Sequence, residues 1–409
     1  MVDSPVRNVF GAILRLQFVV SFGKALLNSV VFSLAPSFIR KAKGKQGLLF
    51  LYLIQDIDLL ASASQEFLRQ NLPHITYVDR QLIIKHPHIF LLLCKHQMPY
   101  FFSLAPRKKL SLLHRIEGFS FVLTAVETSW GPHAPAHQIV REANKLGIPT
   151  YTCQHGYENI GLTFDEIQHP IEETHVSSKK IFIWSSKELL HPRIPNETRD
   201  KCIETGFLKS LEFDSALKER LPSSFPIRIG IFENLHWERF TQEYRDNFIS
   251  NLTDMIFQFP QIYFVLKPHP AGQWLTKNKI QSFVGQKNVL ILPNQGISWS
   301  LFTTIDWIGN LDAVITTPST VALDGALIGK PIGIVSDEQL DLAAYQPLQM
   351  LKTKQDWIDY IGEVLTNRTR LLKLSDTFVR KNCVGNNGWS KASQYIQTRL
   401  ERDETPSSV

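Results

Sequence analysis

Cysteine is scarce in this chain: four residues among 409, Cys94, Cys153, Cys202 and Cys383, with no CxxC pair among them. That scatter excludes a disulfide framework and a thiolate zinc site, and it fits a reducing cytoplasm. Cys153, beside Gln154-His155-Gly156 at an expected strand end, reads as a small buried strand residue or as a nucleophilic thiol. Long apolar runs are missing too. The most apolar stretch, Val9 to Ile39, is broken by Arg15, Lys24 and Pro36, which excludes a comfortable membrane span of ~20 residues. It lacks a small-residue cleavage pattern, so no signal peptide is expected. No basic run interleaved with aromatics marks a nucleic-acid groove, and nucleic acid is not an expected partner. Repeats and low-complexity tracts are also lacking. Nor does a DxD pair stand in a strand-exit loop of the kind that holds a divalent metal on a sugar nucleotide. Asp56-Ile57-Asp58 has the spacing, but it follows the first strand of the first domain, where helix capping accounts for it. No metal or other cofactor is therefore expected.

What is present describes a folded enzyme. Hydrophobic residues make up 44% and charged residues 20%, which suits neither a disordered chain nor an integral membrane protein. A length of 409 exceeds the usual single core, so two domains are expected. The net charge of +6 fits a phosphorylated substrate or an anionic surface. Arg40, Lys41, Lys43 and Lys45 follow the apolar leader. Residues 7–45 therefore read as a basic, amphipathic helix for an anionic membrane surface, peripheral at the inner membrane, or as a helix packed on the first domain.

Apolar strands alternate with helices along the chain. Strands are expected at Leu48–Ile54, Phe119–Val126, Pro149–Cys153 and Ile181–Trp184, with short apolar segments at Ile75–Val78 and Ile89–Leu93. A second series comprises Ile227–Phe232, Ile262–Leu266, Val289–Leu292, Asp312–Ile315 and Ile332–Val335. Helices are expected at 58–70, 136–146, 241–257, 355–366 and 390–402. The pattern predicts two doubly wound, Rossmann-like α/β domains facing a cleft. The expected divisions are a basic segment over 1–46, an acceptor-side domain over 47–210 and a linker over 211–226. A nucleotide-sugar domain over 227–385 and a C-terminal helix and tail over 386–409 complete the chain.

Function is concentrated at strand ends. In DAVITTPSTVALDGALIGKPIGIV a strand runs through Thr316-Thr317-Pro318-Ser319-Thr320 into a helix of small and apolar residues. Thr316, Thr317 or Ser319 is placed to cap that helix, and its first-turn N–H groups suit a nucleotide phosphate. Upstream, FVLKPHPAG holds His269 between Pro268 and Pro270, with Lys267 before it. An imidazole fixed at a strand's carboxyl end donates to a phosphate or acts as an acid, or simply closes a turn. Asp324 shares a helix face with Thr320 and suits a sugar hydroxyl or a loop contact. Glu233, in IGIFENLHW, is a candidate base or nucleophile, or a solvated loop carboxylate. In QHGYENIGLTFDE, Gly156 allows close backbone approach, while His155 and Glu158 suit an acceptor hydroxyl. Glu127, at the neighbouring strand exit, is a further acid.

KPHP at Lys267–Pro270 together with TTPST at Thr316–Thr320 resembles the motif pair of bacterial GT-B glycosyltransferases that use CMP-activated sugars. Gln154–Gly156 and the Asp324–Pro331 run look most like the retaining β-Kdo transferases of capsule and O-antigen synthesis. The resemblance covers about Phe119 to Val335 and implies a GT-B fold, a CMP-Kdo donor, an oligosaccharide acceptor and a place in lipopolysaccharide or capsule assembly. Under it Lys267, His269, Thr317, Ser319, Thr320 and Asp324 bind the donor. His155, Gly156 and Glu127 face the acceptor, and Glu233, His269 and Glu158 are catalytic; an aspartate rather than Glu233 would fit the family's nucleophile. Transfer of glycerol phosphate from CDP-glycerol, a sialyltransferase-type reaction, a sugar-nucleotide epimerase and a non-catalytic glycan-binding module are the rival readings. No set of acidic residues demands the epimerase.

Overall fold

Short runs of branched and aromatic residues, each closed by a polar turn, form strands covered on both faces. GLLFL and AVIT are buried at every position, as parallel strands flanked by helices must be. The computed structural model describes residues 19–27, 29, 46–102, 116–165, 170–270, 272–278, 281, 283, 285–292, 299 and 301–404. These divide into two units. The first takes the described residues up to His155, then Asn159–Lys209 and the chain from Cys383 on; the second is Gly156–Glu158 with Ser210–Asn382.

Seven strands form the sheet of the first unit: β1 Gly47–Leu51, β2 His74–Val78, β3 Tyr100–Phe102, β4 Phe121–Thr124, β5 Thr150–Cys153, β6 Lys180–Ile183 and β7 Cys202–Glu204. All pairs are parallel, in the order β3-β2-β1-β4-β5-β6-β7. Leu48, Phe50, Phe101, Val122 and Ile139 belong to one buried cluster of this unit. The helix Gly388–Glu404 belongs here rather than forming a separate tail. Trp389 meets Phe67 edge-on at 5.9 Å, and Gln397 Nε2 donates to Gln70 O at 3.1 Å. Of the expected segment 7–45, only 19–27 and 29 lie within the described residues; they are helical. Ala25 is buried, Phe22 packs against Phe90 at 5.4 Å, and Ser29 Oγ accepts the Phe102 N–H at 3.1 Å. Among the described residues no helix is long and apolar enough to cross a membrane.

The sheet of the second unit holds β8 Ile227–Glu233, β9 Ile262–Pro268, β10 Val289–Ile291, β11 Ala313–Thr316, β12 Ile332–Val335 and β13 Gln349–Leu351. They run parallel in the order β10-β9-β8-β11-β12-β13. Its core joins Ile229, Ile231, Phe248, Leu252, Phe264 and Trp357. The expected linker 211–226 lies inside this unit, where Leu217 is buried and Asp214 N donates to Asp306 Oδ1 at 2.7 Å. Strand order reverses between β1 and β4 in the first sheet and between β8 and β11 in the second. Open parallel sheets bind ligands outside the carboxyl ends of strands at such a reversal.

Candidate functional site

At the reversal in the second unit, three strand exits are stitched together by main-chain and side-chain bonds. Thr317 N donates to Phe232 O at 3.1 Å, and His269 N to Glu233 O at 2.8 Å. Asn234 N donates to Thr317 Oγ1 at 3.1 Å, while Thr317 Oγ1 donates to Asn234 Oδ1 at 2.5 Å. The Asn234 amide also reaches Pro318 O at 2.9 Å. These bonds fix the exits of β8, β9 and β11 against one another.

Glu233 lies at the end of β8 and is buried, and both carboxylate oxygens accept main-chain N–H groups. Leu235 N lies 2.7 Å from Oε2 and Leu275 N 3.1 Å from Oε1. Burial pushes this carboxyl up, and the two N–H bonds pull it part of the way back. The arrangement uses Glu233 to hold the 234–240 loop and the Trp274–Asn278 helix in place. From the helix Gln242–Gln258, Arg245 adds bonds to Leu235 O at 2.9 Å and Trp237 O at 3.0 Å.

What this fixed loop presents is His236, a residue the sequence pattern does not single out. Its ring stacks on His269 with centroids 4.9 Å apart and planes at 28°. Nδ1 of His236 is buried without a hydrogen-bond partner. Burial depresses its pKa to about 4, and the nearby charges of Lys277, Arg239 and Arg245 add to the shift. At neutral pH the imidazole is uncharged, and the charges of Lys277, Arg239 and Arg245 act on it. Gly272 is required beside it, since a Cβ there would collide with the His236 ring.

The β11 exit differs in detail from the expected anion cradle. The helix that follows, Val321–Leu327, is only seven residues long, and its N-cap Thr320 makes no side-chain cap bond. Ser319 Oγ meets Val321 N at 3.3 Å and Thr316 Oγ1 at 3.1 Å, whereas Thr320 Oγ1 accepts the Tyr157 N–H at 2.8 Å. A Cβ on Gly156 would stand 2.7 Å from that same hydroxyl, so glycine permits the approach. Asp324 is buried at 1% exposure, facing the unit's interior. Lys267 Nζ donates to Thr304 Oγ1 at 3.2 Å. Glu158, in the tripeptide counted with this unit, pairs with Arg239 at 2.6 Å, and the same Nη2 reaches Pro318 O at 3.0 Å.

His155 and Glu127 belong to the first unit. His155 N donates to Asn159 Oδ1 at 2.9 Å, and its ring meets His133 edge-on at 5.7 Å. Burial lowers His155 to about 4 and His133 to about 3. Glu127 is fully buried, bound to His137 and to Ser178 N. Asp56 caps as expected, but the one-turn helix Ile54–Asp56 rather than the helix Ile57–Arg69: its carboxylate accepts Leu53 N at 3.1 Å, and burial raises its pKa to about 7. Among the described residues, no group of three or more His, Cys, Asp or Glu is arranged to hold a metal. The signal that could have exposed His236 is the run ENLHWERF itself, with an imidazole and an arginine directly after a strand.

No protein-family model matches the chain, and no curated protein does. Solved structures match it. UDP-GlcNAc 2-epimerase from Neisseria meningitidis, solved bound to UDP-GlcNAc, is 13% identical with a TM-score of 0.58, covering 87% of this chain and 100% of that one. The UDP-GlcNAc 2-epimerase from Methanocaldococcus jannaschii is 12% identical, TM-score 0.56, over 87% and 99%. Wall teichoic acid polymerase TagF is 12% identical, TM-score 0.53, over 95% and 98%. The likeness establishes the fold: two Rossmann-like α/β units with parallel sheets, of GT-B-like type.

The same findings overturn the resemblance to CMP-sugar transferases. Among the structures alike over most of the chain, UDP-GlcNAc 2-epimerases recur, and none of the three named is a CMP-Kdo transferase. This leaves no support for a CMP-Kdo donor, an oligosaccharide acceptor, or a place in O-antigen, capsule or lipopolysaccharide synthesis. The physical reason lies in the motifs. KPHP and TTPST mark the exits of β9 and β11, and such exits belong to the doubly wound sheet whatever sugar it serves.

Proposed function

We propose that the second unit binds a UDP-sugar and that the protein epimerises it by proton transfer at His236, without a metal ion. One observation carries this reading: a buried, partnerless imidazole nitrogen on a fixed loop at the strand-order reversal, with three cations acting on it. The UDP-GlcNAc 2-epimerases that share the fold supply the substrate class. Inversion at the hydrogen-bearing carbon next to the anomeric centre removes a proton from one face while the freed electron pair expels UDP. Return of a proton to the other face as UDP re-adds gives the epimer, which calls for a positioned acid–base group. Burial is the larger cause of the depressed His236 pKa; a bound diphosphate would offset the smaller share that comes from Lys277, Arg239 and Arg245 and raise the imidazole by that share. Lys267, His269, Ser319 and Thr320, at the β9 and β11 exits, are the groups proposed to meet the phosphates. Their charge and that of the arginines does the work a divalent ion would otherwise do. A cytoplasmic setting belongs to the same reading, supported by Cys94, Cys153, Cys202 and Cys383 all being free thiols.

Thermal unfolding tests the binding step. UDP at ~100-fold its Kd should stabilise the protein by about 2.7 kcal/mol, with EDTA making no difference and CMP giving a smaller shift. Stabilisation by CMP alone, or only with added metal, would defeat the proposal.

A further inference from the structure

In the first unit, Glu127, His137 and Ser177 line up as carboxylate, imidazole and hydroxyl. We infer that Ser177 is a nucleophile activated by this pair, giving the first unit an ester-cleaving centre independent of the nucleotide-sugar reading. Glu127 Oε2 lies 2.6 Å from His137 Nδ1, and Glu127 itself is wholly buried. A carboxylate there keeps the proton on Nδ1 and leaves the Nε2 lone pair outward. Nε2 faces Ser177 Oγ at 3.5 Å, the long separation common between a base and its nucleophile without substrate.

Further bonds set the alignment. Glu127 Oε1 accepts Ser178 N at 2.5 Å, so one buried carboxylate fixes both the base and the chain beside the nucleophile. Asn144 Nδ2 holds Ser177 O at 2.7 Å from the other side. His137 stands in the first turn of the helix Ala134–Lys145, and Ser177 is half-buried. In the reaction, Ser177 Oγ bonds to an ester carbonyl carbon while its proton passes to His137 Nε2. The bond to the leaving alcohol then breaks as His137 returns that proton, and water repeats the sequence to release the acid. Glu127 is a positioning residue throughout. The substrate class is a small acyl ester.

The test treats the full-length protein with a fluorophosphonate probe and maps the adduct by mass spectrometry. Wild-type protein should carry the label on Ser177 and should cleave p-nitrophenyl acetate. His137→Ala and Glu127→Gln should lower both rates by roughly 10²-fold or more. Glu127→Gln retains an oxygen for Ser178 N, so unchanged circular dichroism keeps the test valid if His137→Ala misfolds. A Ser177 left unlabelled beyond the denatured chain, or a label that survives both substitutions, overturns the inference and leaves a structural clamp.

Discussion

At the scale of single residues, His236 should separate chemistry from binding. His236→Ala is expected to lower kcat by roughly 10²- to 10⁴-fold with little change in KM for the UDP-sugar, measured by steady-state kinetics. Acid sensitivity belongs at this scale too. His133 is held at about 3 and His155 and His236 at about 4, against an ordinary 6.5. Above 6.5 both folded and unfolded chains carry these rings neutral; as pH falls below it, the unfolded chain binds protons that the fold refuses. Stability supplied by burying them neutral is therefore lost from about 6.5 down to about 3. Asp56 runs the other way: held at about 7 against 3.8, it favours the fold at low pH, and that contribution disappears as pH rises through about 7. His155→Gln should lose less stability than wild type between about pH 7 and about pH 5, read from melting temperatures. Sequence reading chose Glu233 from IGIFENLHW and missed His236 three residues on. A carboxylate after a strand looks the same in sequence whether its oxygens are open or held by Leu235 and Leu275 N–H groups.

At the scale of elements, capping and loop anchoring give separate handles. Thr353 and Asp356 form a reciprocal capping box on the helix Lys354–Thr366, with Thr353 N to Asp356 Oδ2 at 2.7 Å. Thr353→Ala should cost about 1 kcal/mol of stability, seen as a lower denaturant midpoint with unchanged activity. Arg245→Met should do the reverse: it removes two anchors from the 235–237 loop and lowers kcat more than it lowers melting temperature. Strands β1, β4, β5, β6, β8, β9, β10, β11 and β12 are legible because apolar or β-branched and aromatic residues dominate them and polar turns close them. Strands β3, β7 and β13 were missed. Each is three residues long and lies at a sheet edge, too short to show a period; β10 is as short and also at an edge, but its run VLIL is wholly apolar. Ile89–Lys95 is a helix, since a bare apolar run of that length does not distinguish the two.

For the whole molecule, two parallel sheets each have their own reversal and their own core. UDP should therefore slow hydrogen exchange in segments of the second unit around residues 233–240 and 267–275, with the Ser177 loop unchanged. Alternation of strands and helices made this two-unit fold readable from sequence, because that pattern is imposed by backbone chemistry. Substrate class was not readable, because strand-exit motifs report geometry rather than the sugar bound there. The most direct measurement follows UDP-GlcNAc with the protein in deuterated water by proton NMR. The account predicts loss of the C2 proton signal, appearance of the C2 epimer, indifference to EDTA, and no exchange with His236→Ala. UDP-GlcNAc that binds yet keeps its C2 proton and yields no epimer would contradict it.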